Sequence, residues 1–488
     1  MLNEHDFAVD LLARLPFEPN DHQMKTAYAL ARFCQPEPQV PLYAMRQRVF
    51  VLGGYAGTGK TSIVGALVKT LTTQRVPVVL LAPTGRAAKV LSLKAGFPAS
   101  TIHRKIYYHA LPAATGGNGP GMRTNDLRDA IFIVDEASMI SYDTRQERGG
   151  DNILSDLIQY VYGAPGCKMI LVGDRGQLPP VGMHDSPAME ADVLRGFGLK
   201  VTDVTMTKVS RQHSRSGILA HATMIRRILT SKDMVNTIIK LDTDHYPDVD
   251  IVEPDELPDL IESLYANDGV DSTVIITRSN RKAVDFNQGI RNTILFHEQR
   301  LDKNDTLIAS KNNYEWARKI KNLGFIANGE LLKVEKILGY EIRYGLEFAD
   351  AQLSLQDSPD TTFTAKLLLA PLTSESNSIN PETAAQLYNG VLYDPELCAP
   401  DATDAERISK LRRSPYFNAL QVKYAYAMTC HKAQGGEWDN VIVDLSYIPT
   451  DALSVDFYRW LYTAITRARR HLFFISPPAE MRRQPKED

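Results

Sequence analysis

The chain has 488 residues, 44% of them hydrophobic and 23% charged, with a formal net charge of −3. That composition is ordinary for a globular protein, gives length enough for three or four domains, and excludes a global basic field, so a polyanionic partner would meet its positive charge in a confined channel. Four scattered cysteines (Cys34, Cys167, Cys398, Cys430) with no C-x-x-C argue against a zinc or disulfide frame and suit a reducing cytoplasm. The acidic first 21 residues lack the basic and apolar regions of a secretory leader. No apolar run approaches the ~18–20 residues of a spanning helix, so a cytoplasmic chain without a membrane partner is expected.

Asn20-Asp21 can cap a helix over 22–33, with Gln23 in its first turn, and Pro36, Pro38 and Pro41 end it. An apolar strand, Val49-Phe50-Val51-Leu52, then leads into Gly54-Tyr55-Ala56-Gly57-Thr58-Gly59-Lys60-Thr61 and a helix over 62–71. This is the P-loop pattern G-x-x-x-x-G-K-[ST] between a strand and a helix. Glycines let the backbone fold tightly enough for its N–H groups to face phosphate oxygens, and the helix N-terminus adds partial positive charge there. Gly54, Gly57, Thr58, Gly59, Lys60, Thr61 and Ser62 form the expected phosphate-binding set. Lys60 would reach the β- and γ-phosphates of ATP, and Thr61 would hold Mg²⁺.

A second apolar strand over 78–82 precedes Pro83-Thr84-Gly85-Arg86 and a helix over 87–95. Ser100-Thr101-Ile102-His103-Arg104 follows, then an excursion between about 105 and 128 whose Gly/Pro-rich middle, 113–121, reads as a hairpin tip. The buried run Ile131-Phe132-Ile133-Val134 ends in Asp135-Glu136. At a P-loop site an acidic pair suits one carboxylate near the metal, Asp135, and one general base polarising the attacking water, Glu136. The next buried run, Met169-Ile170-Leu171-Val172, ends in Gly173-Asp174 and a proline-stiffened loop, in which Gln177 is placed to sense the γ-phosphate. Strands alternating with helices, each ending in a polar loop, imply an α/β protein with a doubly wound parallel sheet and its chemistry at the C-terminal edge.

The second half repeats this theme more loosely, with apolar runs at 274–277, 441–443 and 472–475. Between them, about 325–417 alternates short strands with a Ser-, Asn-, Pro- and Asp-rich stretch and reads as an inserted small β-domain.

Taken in order, Gly-x-Gly-Lys-Thr, Asp-Glu-Ala-Ser, Gly-Asp-x-x-Gln-Leu-Pro-Pro-Val-Gly and Val-x-Arg-Gln resemble a superfamily 1 helicase. Residues 426–437 resemble that family's fifth motif and residues 461–468 its sixth. The likeness is to the RecD/Dda-like 5′→3′ branch (superfamily 1B) and runs from Gln23 to Arg467, with poor coverage at 340–416. It implies two RecA-like P-loop domains, a β-hairpin insertion and a small SH3-like β-domain. The first motor domain would be 1–212, with a hairpin pin at about 105–128. The second would be 213–488, interrupted by the β-domain at about 326–416.

The resemblance also implies roles. Gln23 would contact adenine, Arg211 and Arg467 would be arginine fingers, and Glu437 would sit at the nucleotide. Thr84, Arg86, Thr101, His103, Thr429, His431 and Lys432 would contact nucleic acid, hydroxyls and cations at sheet edges being suited to phosphate. Phe97-Pro98 and Tyr107-Tyr108 would either stack on bases or pack a domain edge. Where 3′→5′ relatives carry an adenine-stacking aromatic before the Arg211 motif, this chain has Ser210. The interval between Arg104 and Ile131 is too short for the accessory domain of those relatives. Both departures favour the 5′→3′ branch.

The expected activity is that of a monomeric, ATP- and Mg²⁺-dependent DNA helicase on single-stranded, duplex and forked DNA, with recombination, repair or replication partners. An RNA helicase of the same superfamily, a translocase that strips proteins, and an ATP-gated single-strand-binding subunit are the alternatives.

Overall fold

The computed structural model describes all residues except 1, 37–46, 109–120, 143–151, 209–215, 232–237, 321–324, 357, 377–378, 400, 447, 449–453 and 484–488. The chain divides into two compact units, one of residues 1–239 and 451–466, the other of residues 240–450 and 467–488.

The first unit is built on a six-stranded sheet. Its strands are β1 (Arg48–Gly54), β2 (Val78–Ala82), β3 (Ala99–Thr101), β6 (Ile131–Val134), β7 (Lys168–Gly173) and β8 (Lys200–Met206), in the order β3-β2-β6-β7-β1-β8. Every neighbouring pair is parallel. Helices cover both faces of such a sheet, so its central strands read as unbroken apolar runs. β6 and β7 are buried along their whole length. One core layer joins Phe50, Leu52, Ile133 and Ile170 to Phe7, Leu11 and Leu30 of the N-terminal helices. The opposite layer joins Val49, Val51, Phe132 and Leu171 to Leu154 and Leu157.

Two short strands, β4 (Tyr107–Tyr108) and β5 (Gly121–Met122), pair antiparallel as the base of the expected hairpin. Its tip lies outside the described residues. Tyr107 packs into the core, and its hydroxyl donates to Asp156 Oδ2 at 2.6 Å. That ring is therefore packing, not a free stacking surface.

The second unit holds a five-stranded parallel sheet and a closed barrel. The sheet contains β9 (Val249–Val252), β10 (Thr273–Thr277), β16 (Ala427–Thr429), β17 (Trp438–Asp444) and β18 (Ala468–Ile475), in the order β16-β10-β17-β18-β9. The barrel contains β11 (Thr306–Ala309), β12 (Leu331–Arg343), β13 (Leu346–Leu355), β14 (Ser358–Leu368) and β15 (Leu420–Tyr424). Antiparallel pairing of β15 with β11 closes it, which removes the exposed strand edges an open sheet would present. Two parallel α/β sheets, a hairpin and a small inserted barrel are the architecture the sequence implies. No helix among the described residues is long and apolar enough to cross a membrane.

The second unit's barrel and sheet share one core, and a buried ion network sits in it. Asp305 is 0% exposed and accepts from Arg291 Nε at 2.9 Å, Arg291 Nη2 at 3.0 Å and the Tyr426 hydroxyl at 2.8 Å. Arg291 also reaches Asp302 Oδ2 at 3.1 Å and lies over the Tyr424 ring, 4.4 Å from its centroid. His297 Nδ1 lies 2.9 Å from Asp305 Oδ1. His297, Asp302 and Asp305 have metal-like spacing, but the guanidinium already supplies their countercharge. Breaking such a pair leaves one charge buried alone, which costs about 3–5 kcal/mol. Asp305→Ala should therefore lower unfolding free energy by about that amount in denaturant titration of the full chain. A loss below ~1 kcal/mol would show that the network is dispensable.

Candidate nucleotide and nucleic-acid site

β1 delivers the chain into the phosphate loop at Gly54. Gly57 (φ 74°) and Gly59 (φ 89°) are left-handed, where any side chain would be strained. A Cβ on Gly54 would lie 2.9 Å from both Lys60 Cγ and Thr58 Oγ1, so the loop closes only without one. Thr58 is buried and donates to Tyr55 O at 2.7 Å. The helix Lys60–Thr73 begins with no side-chain cap on its first N–H groups, which leaves them directed at the loop's hollow. Thr61 and Ser62 are half-buried in that first turn. Lys60 folds back across the loop, its Nζ donating to Gly54 O at 2.5 Å and Tyr55 O at 3.1 Å. The loop thus has the glycine cradle, the helix end and the cation that a triphosphate needs.

Gln23 braces this loop. It is 1% exposed, its Nε2 donates to Thr58 O at 3.0 Å, and its Oε1 accepts from Asn20 N at 2.9 Å in a capping box. The residue that the resemblance assigns to adenine is, in this structure, a prop of the phosphate loop.

β6 and β7 present their ends at the same sheet edge. Asp135 and Glu136 are half-buried beyond β6. Asp135 N donates to Leu81 O at 2.9 Å, and Asp135 Oδ1 accepts from Glu136 N at 3.0 Å. Glu136 is left-handed (φ 53°, ψ 35°), a sparsely populated conformation for a non-glycine residue of the kind that clusters at functional sites. Beyond β7, Asp174 is 1% exposed and accepts from Gly176 N at 2.9 Å. The Lys60 ammonium lies 3.9 Å from its Oδ2. Gln177 is 6% exposed, and its Oε1 has no hydrogen-bond partner among the described residues. A buried acceptor without a donor is costly, and a water or ligand donor would satisfy it. Thr61 and Asp135 offer a hydroxyl and a carboxylate, the hard oxygen donors that suit Mg²⁺.

Sequence reasoning passed over Tyr462 and Thr463. Their helix, Val455–Ile465, belongs to the first unit. The Tyr462 hydroxyl donates to Asp174 Oδ2 at 2.7 Å and accepts from Ala56 N at 2.8 Å. Thr463 Oγ1 accepts from Leu178 N at 2.8 Å. The available signal was their place in the sixth-motif stretch 461–468, five and four positions ahead of Arg467.

The expected nucleic-acid residues of the first unit follow β2 and β3. Thr84 caps the helix Gly85–Ala95, its Oγ1 accepting from Ala87 N at 3.2 Å. Thr101 caps the helix Ile102–Ile106 in the same way, through Arg104 N at 3.2 Å. A hydroxyl that accepts a cap bond keeps its O–H for a phosphate oxygen. Arg86 and His103 are half-buried in the first turns of those helices.

In the second unit, Thr429 ends β16 and precedes the short helix Cys430–Ala433. His431 is exposed and Lys432 half-buried on it. Burial, then the neighbouring Lys423, pushes the Lys432 ammonium down to about 8. Lys423 itself is held by Ser374 O at 2.6 Å. Arg467 is buried and donates to Gly436 O at 3.2 Å, while Glu437 pairs with Arg469 at 3.1 Å. Arg211 and Ser210 lie outside the described residues.

Residues 39–236 match the family described as AAA domain, and residues 424–475 match the UvrD-like helicase C-terminal domain. The ATP-dependent RecD2 DNA helicase of Deinococcus radiodurans is 26% identical over 445 residues, covering 87% of this chain and 46% of that protein. The RecBCD enzyme subunit RecD of Mycobacterium tuberculosis is 24% identical over 467 residues, covering 90% of this chain and 68% of its own. The ATP-dependent DNA helicase dda of Enterobacteria phage T4 is 33% identical over 132 residues, 27% of this chain and 28% of that protein. The chain thus spans about half the length of the RecD2 relative. With its P-loop, acidic pair and later motifs in the family's order, the chain is similar to the RecD/Pif1-like branch, superfamily 1B, of the superfamily 1 helicases.

Proposed function

We propose that this chain is an ATP-driven 5′→3′ DNA helicase and translocase. The observation that carries the reading is the division of one parallel sheet edge. Strands β1, β7 and β6 end in phosphate-loop, Gln177 and acidic-pair residues, while β2 and β3 end in capped hydroxyls beside Arg86 and His103. Nucleotide chemistry and strand grip therefore ride on neighbouring strands of one rigid layer.

In this reading, Lys60 exchanges the Gly54 and Tyr55 carbonyls for the β- and γ-phosphate oxygens of ATP. Glu136 takes the proton of the attacking water, and Gln177 registers the γ-phosphate by donating from its amide Nε2, while its unsatisfied Oε1 can accept from that water. Mg²⁺, held through Thr61 and Asp135, would supply charge neutralisation at the phosphates. Arg211 and Arg467 are carried forward as arginine fingers and Glu437 as a nucleotide contact, the roles that the resemblance implies, a finger being worth about 10³–10⁵ in rate. Gln23, Gly54, Gly57, Thr58, Gly59 and Ser62 shape the nucleotide pocket. Thr84, Arg86, Thr101, His103, Thr429, His431 and Lys432 grip the strand backbone. The hairpin based on Tyr107–Tyr108 and Gly121–Met122 is the proposed strand-separating pin. Recombination, repair or replication proteins are its proposed partners. Backbone contacts do not by themselves separate DNA from RNA, so the sugar preference is part of the test.

Forked DNA with a single-stranded tail on one side tests polarity directly. Unwinding should require a 5′ tail and fail with only a 3′ tail, and matched RNA forks should be poorer substrates. A strict 3′-tail requirement overturns the polarity, and preferential unwinding of RNA overturns the substrate.

Glu136→Gln is nearly isosteric and cannot accept a proton. It should bind ATP within about twofold of the parent affinity while turnover falls by about 10²–10⁴, measured by equilibrium binding and steady-state hydrolysis. Turnover within a factor of about two of the parent would remove Glu136 from the base role.

Lys432 gives strand binding a pH signature. Its ammonium titrates near 8 in the free protein, and a bound phosphate favours the charged form. Below that pH the cation is already present and binding takes up no proton. Above it, binding must take one up, so affinity should fall by up to about tenfold per pH unit as pH rises from 8 to 9.5. In Lys432→Arg, whose charge persists throughout, fluorescence anisotropy with a short oligonucleotide should show a flatter profile. Identical profiles would place Lys432 away from the strand.

A further inference from the structure

Within the first unit, Tyr462 connects two loops of the nucleotide site without itself belonging to either. The ring is 1% exposed, on the helix Val455–Ile465. Its hydroxyl accepts from Ala56 N at 2.8 Å, at the tip of the phosphate loop, and donates to Asp174 Oδ2 at 2.7 Å. Asp174 in turn receives Gly176 N at 2.9 Å, and the adjacent Thr463 receives Leu178 N at 2.8 Å. The turn that carries Gln177 is thereby pinned on both sides by hydroxyls of one helix. Ring packing adds a third restraint, since a Cβ on Gly176 would come within 3.1 Å of Tyr462 Cε1. Burial, and then the Asp174 carboxylate, hold the phenol far above its ordinary range, so it keeps its proton and remains a donor at any working pH.

We infer that Tyr462 is a positioning residue of the phosphate site, whose hydroxyl sets the spacing between the phosphate loop at Ala56 and the turn that carries Gln177. The inference rests on the proposed reading that this site hydrolyses ATP. Its physical content lies in what the hydroxyl withholds. Lys60 Nζ lies 3.9 Å from the same Asp174 oxygen that the phenol occupies. Removing the phenol leaves a buried carboxylate one hydrogen bond short, with the lysine as its nearest cation. Lys60 is then drawn toward Asp174 and away from phosphate, while the Gln177 turn loses one of its pins. Both changes act on the geometry of turnover more than on the capture of ATP, because the glycine cradle and the helix N-terminus are untouched.

Tyr462→Phe in the full chain keeps the ring against Gly176 and deletes only the hydroxyl. In the nucleotide-free protein, amide exchange at Ala56 should accelerate by about tenfold, as expected for loss of one buried hydrogen bond. Steady-state turnover should fall by about tenfold with KM for ATP within about twofold of the parent. In a Gln177→Ala chain the same substitution should lower turnover by clearly less than in the parent, because the share of the loss that runs through Gln177 is already gone and only the displacement of Lys60 remains. Unchanged exchange at Ala56, an equal loss in both backgrounds, or a raised KM with kcat intact each overturns the inference. Amide exchange needs no turnover. A parent chain that hydrolyses no ATP would therefore sink the proposed function while the Ala56 measurement still decided the role of Tyr462.

Discussion

A carboxylate buried beside the phosphate loop governs how the first unit's site is arranged. Asp174 is 1% exposed, and a charge so placed is stable only when paired and hydrogen-bonded. Its partners are a backbone N–H from its own turn, a phenol from the helix Val455–Ile465 and the Lys60 ammonium at 3.9 Å. Each partner lies on a different segment, so satisfying one carboxylate fixes the phosphate loop, the Gln177 turn and that helix relative to one another. Gly53 and Gly173, paired across β1 and β7, show how close the packing is there. A Cβ on Gly173 would lie 2.8 Å from Met189 Sδ, and one on Gly53 would lie 2.9 Å from Thr205 Oγ1. A side chain at either position would force these neighbours to shift.

The strand order explains which chemistry falls where. In a parallel sheet every strand ends at the same edge, so neighbours in the order become neighbours in the site. β7 lies between β1 and β6, which puts Asp174 and Gln177 between the phosphate loop and the acidic pair. β2 and β3 continue the row outward, and their terminal hydroxyls cap the helices that follow. Under the proposed reading, a shift of the γ-phosphate is felt at the strand-gripping end through a stiff hydrogen-bonded layer. Asp135 N bonding to Leu81 O at 2.9 Å is one such link, joining the acidic pair to the strand that ends beside Thr84.

What the sequence made legible was local. The phosphate loop could be read because Gly57 and Gly59 occupy left-handed positions that few other residues tolerate, and the buried strands because parallel sheets demand continuous apolar runs. The small barrel was visible as alternating strands in 325–417, but β11 is only four residues long and carries no period by which to assign it. Tyr462 stood in the sixth-motif stretch, but its role was not legible there because its partner Asp174 is 288 positions away in the chain. No pattern within one helix reports a contact of that separation. Gln23 shows the converse case. Its place in the capping box is local and was half legible, while its hold on Thr58 O, 35 positions on, needed the fold.

Charge placement completes the argument about how such a chain would handle a polyanion. With 55 basic and 58 acidic side chains it has no excess of positive charge to attract nucleic acid from a distance. Under the proposed reading, cations placed in a poorly solvated recess take over that task at short range. Lys423 and Lys432 lie close enough for one charge to depress the other, and burial depresses both. A phosphate between two such groups relieves repulsion and desolvation together, so the gain is realised only on contact and vanishes on release. A motor that moves along a strand must let go as often as it grips. Under the proposed reading, a near-neutral chain with two poorly solvated cations, Lys423 and Lys432, suits that demand better than a broad basic face, which would hold the strand through every step.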